Sequence, residues 1–475
     1  MTCATSARWS AGERGRRRGG CGMRLFEGAV FACLGAVLIL WTELAGVAMG
    51  ADIEDLFLPQ CAAFYLRADY DAPLLESAFQ QKRDEEWNAR YFSPWTADGF
   101  AHSVSDLLYP WRVYGDREIF GENGRPRESS WLNDLLKGAN FAAFRSLDIR
   151  GVILEETNLR ALPTGKPLFL APPSSYEGFP FDYAQVSALN VGEPVRISHL
   201  SEDRSWALVE TGYAAGWIDS RRVAAADDYF AEIRGYANGP LVAVTKDGVA
   251  MCDSNGRFRS HVRIGSVFPL KKDLLYEYEV ALPASDGSIG AKVVSGSISK
   301  GASGRKPIPF TPRNVANLID EMLGASYGWG GLYGNRDCSA AVRDLFAPFG
   351  IWLPRNSADQ AAWGRTVSLQ GLPREEKEKR IVEEGIPFAT LLYKEGHIML
   401  YIGHYRGRAM IFHNMWGIKT LEGGAEGRRV VGKAVITTLS PGAEFADIHP
   451  DGLLIDAITA MTFLVPSERS GPRRF

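Results

Sequence analysis

Hydrophobic positions change their spacing several times along the chain. From Gly28 to Trp41 they are almost continuous. Between Ala51 and Phe144 they are scattered among charges, with a polar helix predicted across Glu76–Trp87 and aromatics at Trp87, Tyr91, Phe92, Trp95, Trp111 and Trp131. Aromatics at that density usually dock on a neighbouring domain or form a small core. From Ser146 to Ala226 the apolar residues form short β-like runs: Val152–Leu154, Leu168–Leu170, Val195–Ile197, Trp206–Val209 and Gly216–Ile218. A second series follows between Tyr229 and Ser299, at Leu241–Val244, Val262–Ile264, Tyr276–Val280 and Lys292–Val294. Pro and Gly separate these runs, as turns do between strands, and two small β-barrels are the economical reading.

Lys300–Pro312 is rich in Gly, Ser and Pro and reads as a linker. Thr311 before Pro312 is a good helix start, Val315, Leu318, Ile319 and Met322 share one helical face, and Gly324 ends it. A turn-rich run, Tyr327–Gly331, leads to Asp337-Cys338-Ser339; Val342, Leu345, Phe346 and Phe349 then recur at helical spacing. Cys338 is therefore predicted at a helix N-terminus. Further on, Gly396–Gly403 reads as a strand, His404–Gly407 as a turn and Arg408–Met415 as the returning strand. His397 and His413 lie symmetrically about Tyr405, so an unbulged hairpin would set them opposite each other on one face.

A length of 475 residues implies two to four domains. With 46% apolar and 23% charged residues the composition is that of a soluble globular chain. A net charge of −3 gives no support to nucleic-acid binding. Arg14, Arg16, Arg17, Arg18 and Arg24 precede the Gly28–Trp41 run, and Ala48-Met49-Gly50 offers small residues at −3 and −1. That order predicts a secretory signal peptide over 1–50, or over 23–50 if Met23 is the start, and an exported, periplasmic or envelope-associated body with no stable membrane insertion after cleavage. Six Arg and three Glu leave with it, so 53 basic side chains become 47, 56 acidic become 53, and the net charge becomes −6. Cys3, Cys21 and Cys33 leave as well; Cys61, Cys252 and Cys338 remain, an odd number, so at least one thiol is unpaired. No sequence around Cys33 or Cys61 reads as a lipidation site.

A thiol at a helix N-terminus gains from the unpaired N–H groups and partial positive charge there, which favour the thiolate. With His397 as base and His413 orienting it, Cys338 completes a relay for nucleophilic attack on a carbonyl. A lone buried Cys or strand His is ordinarily a packing residue; the conjunction is what points to catalysis. A zinc site from His397, His404 and His413 is disfavoured, since residues seven apart on a strand face opposite sides. No metal or other cofactor is expected.

Tyr327-x-Trp-Gly-Gly331, Asp337-Cys338-Ser339, Leu353-Pro354-Arg355-x-Ser357-x-x-Gln360, Gly396-His397 through Ile402-Gly403 and His413 together resemble the NlpC/P60 family of cysteine peptidases, across roughly residues 305–465. The family's usual Gly after Cys-Ser is Ala340 here. Trp87-Asn88-x-Arg90-Tyr91-Phe92-x-Pro94-Trp95 is similar to the stabilising segment of a branch with bacterial SH3-like domains, the γ-D-glutamyl-L-diamino acid endopeptidases. The resemblance implies an α+β protein: signal peptide 1–50, stabilising segment 51–145, SH3-like domains 146–226 and 227–300, and a papain-like peptidase domain 301–475. It also implies hydrolysis of the γ-D-Glu–meso-diaminopimelate bond in L-Ala-γ-D-Glu-diaminopimelate peptides with a free N-terminal L-Ala. In that reading Tyr327 contributes to the oxyanion hole, Asp337 binds the substrate ammonium, Ser339 and Ser357 position the peptide, and Glu193 and Tyr213 reach in from the SH3-like side. The competing readings are a cysteine N-acetylmuramoyl-L-alanine amidase or acyltransferase on the same fold, and a non-catalytic peptidoglycan-binding protein.

Overall fold

The short apolar runs assemble into antiparallel sheets, each around its own core. The computed structural model describes residues 53–172, 178–227, 229 and 239–466; the signal peptide read over 1–50, with Met23, Cys3, Cys21 and Cys33, lies outside the described residues. The first sheet has seven strands in the order Gln185–Leu189, Thr157–Arg160, Ala215–Asp219, Trp206–Glu210, Pro194–Leu200, Ile149–Ile153 and Val223–Ala225. Its inward positions, among them Ile153, Leu159, Val195, Val209 and Ile218, are fully or almost fully buried. Leu168–Leu170 is not one of its strands: Phe169 instead bridges to Phe120 of the N-terminal segment.

The second sheet runs Phe258–Val262, Val249–Asp253, Ala291–Ser299, Glu277–Ser285, Val267–Asp273, Leu241–Val244 and Ser303–Lys306, around Val242, Val244, Phe268 and Val280. Its last strand falls inside the segment expected to be linker. Despite their Gly and Ser content, residues 303–306 pair in register with Leu241–Val244, and the connection to the next helix begins only after Lys306. The helix then spans Pro312–Met322, with the Thr311 side chain accepting from the Asn314 N–H.

The C-terminal domain packs helices against a six-stranded sheet ordered Arg365–Ser368, Ile458–Phe463, Thr390–Lys394, His397–Tyr405, Arg408–Glu422 and Ala425–Thr437. The Cys338–Phe346 helix lies on this sheet, and Ala341, Val342, Leu345 and Phe346 share a core with Ile398, Leu400, Phe412 and Ile436. Among the described residues no helix is long and apolar enough to cross a membrane. Cys61, Cys252 and Cys338 are all free thiols.

The N-terminal segment clamps these parts together. Its longest helix, Ser77–Tyr91, carries Trp87 and Tyr91, which with Phe92 and Trp95 pack against Val152 of the first sheet, Leu241 and Val267 of the second and Ala347 of the peptidase domain. Three polar side chains of this helix are drawn into the contact. Gln80 donates to the Ile308 and Phe349 carbonyls and accepts from the Phe310 N–H. Lys306, fully buried, pairs with Asp84, donates to Asn88 Oδ1 at 3.0 Å and stands 3.8 Å over the Trp87 ring. Its desolvation pushes the ammonium pKa down to about 8.

Deleting one partner of such a pair leaves an uncompensated buried charge, at a cost of about 3–5 kcal/mol. Asp84→Ala and Lys306→Met are each expected to lower the unfolding free energy by about that amount in urea titrations. Combining Asp84→Leu with Lys306→Met is expected to cost far less than the sum, because no charge is then stranded.

Candidate active site

Asp337 starts the site. In extended backbone (φ −86°, ψ −177°) it N-caps the Cys338–Phe346 helix, its Oδ1 accepting the Ala340 N–H at 2.8 Å, so Cys338 is the first residue of the helix. The helix begins where the sequence predicts, and Cys338 is only 7% exposed. That burial changes its chemistry. Desolvation first, then the Asp337 charge, push the thiol up to about 12, against the Ile398 and Ser339 N–H groups and the Arg355 charge, which favour the thiolate. The helix N-terminus alone does not produce a resting thiolate here.

His397 opens the His397–Tyr405 strand, and His413 lies in the facing strand. Their pairing differs from the unbulged hairpin expected. Arg406 (φ 51°) and Gly407 (φ 79°) make a two-residue turn, so pairing starts at Tyr405 and Arg408 rather than being centred on Tyr405. With that register alone the two imidazoles would point to opposite faces of the sheet. A bulge between Tyr401 and Gly403 takes up one residue and shifts the next pairs to Tyr401 with Ile411 and Leu400 with Phe412. Extended by one pair, this sets His413 against Met399, two residues from His397 on the same face. The imidazoles therefore meet diagonally, His397 Nε2 to His413 Nδ1 at 2.9 Å.

The protons follow from the next contact. Thr437 Oγ1 donates to the Thr438 carbonyl at 2.7 Å, so it can only accept from His413 Nε2, 3.1 Å away. His413 Nδ1 is then the acceptor, His397 Nε2 carries the hydrogen, and His397 Nδ1 keeps its lone pair. Burial lowers the basicity of both rings, His413 to about 3 and His397 in the same direction with help from the His413 and Lys394 charges. The resting site is thus a neutral thiol beside neutral imidazoles. His404 belongs elsewhere: its Nδ1 is 2.8 Å from Arg67 Nη2 at the surface.

Tyr327 joins Cys338 and Asp337. Burial and the charges of those two groups hold its phenol well above the usual range, so it remains a hydrogen-bond donor. Asp337 itself is crowded: Oδ1 accepts from Ala340 N, Ser339 Oγ (3.1 Å) and Arg355 Nη1 (3.2 Å), and Oδ2 from Gly330 N (3.0 Å) and Arg355 Nη2 (2.7 Å). The cation beside this carboxylate is a guanidinium of the protein, where the family resemblance implied a substrate ammonium. Ser339 Oγ also accepts from Arg355 Nη1 at 2.9 Å, and Ser357, half-buried, opens the short Ser357–Ala361 helix two residues further on.

Glu193 and Tyr213 are not brought to the nucleophile. They line a small cavity with Trp87, Tyr91, Trp352 and Arg343, and the Arg343 guanidinium sits 4.3 Å over the Tyr213 ring. Arg343 is five residues along the helix from Cys338, on a different face. The reason is charge: Glu193 and Asp344 are both buried there, and Arg343 is the cation that offsets them. Tyr213 leans toward Glu193 and Ser187, and Ser187 in turn accepts from Arg355.

The first sheet instead meets the site through its Gln185–Leu189 edge strand and the turn before it. Gln185 Nε2 donates to the Gly330 carbonyl at 3.0 Å, and Ser187 Oγ accepts from Arg355 Nε at 3.0 Å. Gly330 (φ 59°) and Gly331 (φ 88°) let the strand lie flat on the loop. A Cβ on Gly330 would come within 2.6 Å of Gln185 Cγ, and one on Gly331 within 2.7 Å of Ala188 Cβ. Beside them Phe181 packs on Trp329 and Phe179 on Trp416, whose ring lies 6.0 Å from that of Tyr327. Sequence reasoning gave Thr437, Lys394 and Arg355 no role. Lys394 pairs in register with His397, a relation visible only once the strands are aligned.

A buried cysteine at a helix start, packed on a sheet that carries a histidine pair, is the layout of a cysteine-peptidase fold. Comparison with known proteins assigns its parts to families. Residues 324–424 match the NlpC/P60 family, 39–144 the NLPC_P60 N-terminal stabilising domain, 167–219 an SH3 domain of SH3b1 type and 227–273 one of SH3b2 type. The chain thus carries an NlpC/P60 domain, preceded by two SH3b-type domains and the family's N-terminal stabilising domain. It is similar to the structure of an NlpC/P60 endopeptidase from Photobacterium damselae subsp. piscicida, at 27% identity over 85% of this chain and 97% of that one, with a TM-score of 0.77. An NlpC/P60 family protein from Bacillus cereus matches at 18% identity over 67% of this chain and all of its own, with a TM-score of 0.46. The comparison with curated proteins found no match.

Burial of the histidines predicts an acid limit. Unfolded, His413 takes a proton near pH 6.5; folded, only near 3. Between these values the unfolded chain binds the extra proton, so His413's contribution to stability is complete above pH 6.5 and declines as pH falls toward 3, by at most about 1.4 kcal/mol per unit. Urea midpoints measured from pH 7 to 4 are expected to fall less steeply for His413→Gln than for the parent chain.

Proposed function

We propose that the chain is an exported cysteine endopeptidase of the bacterial cell wall, cleaving the γ-D-Glu–meso-diaminopimelate bond of L-Ala-γ-D-Glu-diaminopimelate peptides. What supports this reading is the proton chain from His397 through His413 to Thr437 beside Cys338, in a domain of a peptidoglycan-hydrolase family. Cys338 acts as nucleophile and His397 Nδ1 as base. With the thiol neutral at rest, proton transfer to His397 accompanies attack of sulfur on the γ-carbonyl carbon. The Tyr327 phenol donates to the developing oxyanion. The protonated His397 then gives its proton to the departing amine of the diamino acid, leaving a thioester on Cys338. Water, deprotonated by the same nitrogen, hydrolyses the thioester and restores the thiol. His413 acts by fixing the tautomer of His397, and Thr437 by fixing that of His413.

Asp337, already holding five donors, is not assigned the substrate ammonium in this reading; its task is the helix cap and the Arg355 contact. The SH3b-type domain supplies a wall of the cleft through Phe179, Phe181 and the Gln185–Leu189 strand.

Incubation with L-Ala-γ-D-Glu-meso-diaminopimelate, followed by mass spectrometry, is expected to show free diaminopimelate with the parent chain and none with Cys338→Ala. His397→Ala is expected to lower kcat/KM by at least about 10²-fold, the range of a lost general base. With the N-acetylmuramoyl-linked peptide as a second substrate, release of intact peptide from the sugar with the γ-D-Glu bond uncut would assign the amidase reading instead. N-acetylation of the L-Ala is expected to slow cleavage. Equal rates on the free and acetylated peptides would remove the free-end requirement and leave the bond assignment standing.

A further inference from the structure

Arg355 is almost completely buried and spends its guanidinium on two domains. Nη1 and Nη2 form a fork on the Asp337 carboxylate at 3.2 and 2.7 Å, Nη1 also reaches Ser339 Oγ at 2.9 Å, and Nε donates to Ser187 Oγ at 3.0 Å. The Ser187 hydroxyl in turn gives its proton to the Ala188 carbonyl at 3.2 Å, which leaves its lone pair for Arg355. Ser187 lies on the edge strand of the first SH3b-type sheet; Asp337 and Ser339 flank Cys338. One planar group thus connects the docked sheet to the residues on either side of the thiol.

An anion adjoining a buried thiol opposes its ionisation, and a cation fixed against that anion relieves the opposition. The other charged or titratable groups facing Cys338 come from different elements: Lys394 from the sheet and Tyr327 from the preceding loop, with Arg428 facing Tyr327 in turn and His397 adjoining Ile398, whose N–H favours the thiolate. We propose that Arg355 is a positioning residue for Cys338: held in orientation by Ser187 of the SH3b-type domain, it neutralises Asp337, so that docking of that domain sets how readily the thiol gives up its proton. This rests on Cys338 being the nucleophile, and its test needs no substrate, so failure of the substrate assignment leaves it standing.

The test is alkylation of the full chain by iodoacetamide across pH 6 to 10, with peptide mapping by mass spectrometry to separate Cys338 from the exposed Cys61 as an internal reference. Arg355→Gln is expected to lower the Cys338 rate relative to Cys61 by at least about tenfold at each pH, the equivalent of one unit of thiol acidity. Adding Asp337→Asn is expected to return it to within about threefold of the parent, because the opposing anion is gone. Ser187→Ala, which frees one arm of the guanidinium and leaves its charge, is expected to fall between the two. A parental Cys338-to-Cys61 ratio in Arg355→Gln, or no recovery in the double variant, overturns the proposal. If Arg355→Gln fails to fold by near-ultraviolet circular dichroism, Ser187→Ala decides: a parental ratio there overturns the role of the docked domain, and a lowered ratio upholds it.

Discussion

A carboxylate removed from water must be met by a cation, and in this chain that requirement recurs where the peptidase domain meets its neighbours. Asp337 is met by Arg355, Asp344 by Arg336 and Arg343, and Asp84 by Lys306. Arg336 also pairs with Asp247 and donates to the Ile264 carbonyl of the second SH3b-type domain, while Arg355 bonds Ser187 of the first. Exposed pairs of this kind would contribute little to stability. Buried and shared across boundaries, they restrict the docking geometry, because any displacement leaves a charge without its partner. The N-terminal segment adds the apolar part of the same contact, with Trp87, Tyr91, Phe92 and Trp95 closing over both sheets and the peptidase domain.

The candidate site depends on this arrangement. Cys338 sits at the end of a helix whose cap, Asp337, is held by a side chain that also touches the first sheet. The histidine pair depends on a different constraint, the parity of a hairpin. A two-residue turn and a bulge between Tyr401 and Gly403 together bring His397 and His413 to one face, where neither alone would. Thr437, on the third strand, then settles which nitrogen carries each proton. The thiol and both imidazoles are neutral at rest, so ionisation of the thiol belongs to the reaction rather than to the ground state.

Much of this was legible from residue spacing. The Cys338 helix showed itself through Val342, Leu345 and Phe346, and the Pro312 helix through its Thr cap, because helical periodicity and capping are local properties. The histidine partnership was also legible, though for a reason that did not survive: symmetry about Tyr405 suggested direct opposition, and the bulge that replaces it has no local signature beyond Gly403. The Ser303–Lys306 strand was hidden by Gly and Ser, residues that say little about pairing when a distant strand supplies the hydrogen bonds. Glu193 and Tyr213 were placed by resemblance in loops whose side chains answer to a buried Arg343 instead. Arg355 stood in plain view within Leu353-Pro354-Arg355, but its partners lie 18 and 168 positions away, and no spacing along one chain announces such a meeting.

Gly330 and Gly331 record the same dependence in another form. Their missing side chains are the footprint of the edge strand that rests on them, since a Cβ at either position would strike Gln185 or Ala188. Two constraints coincide at these positions: the left-handed backbone of the turn already favours glycine, and the strand lying on it leaves no room for a Cβ. The loop that leads into the nucleophile is therefore fitted on its outer side to a neighbour outside its own domain, and an accessory domain with a differently shaped edge would leave that side of the loop without its counterpart.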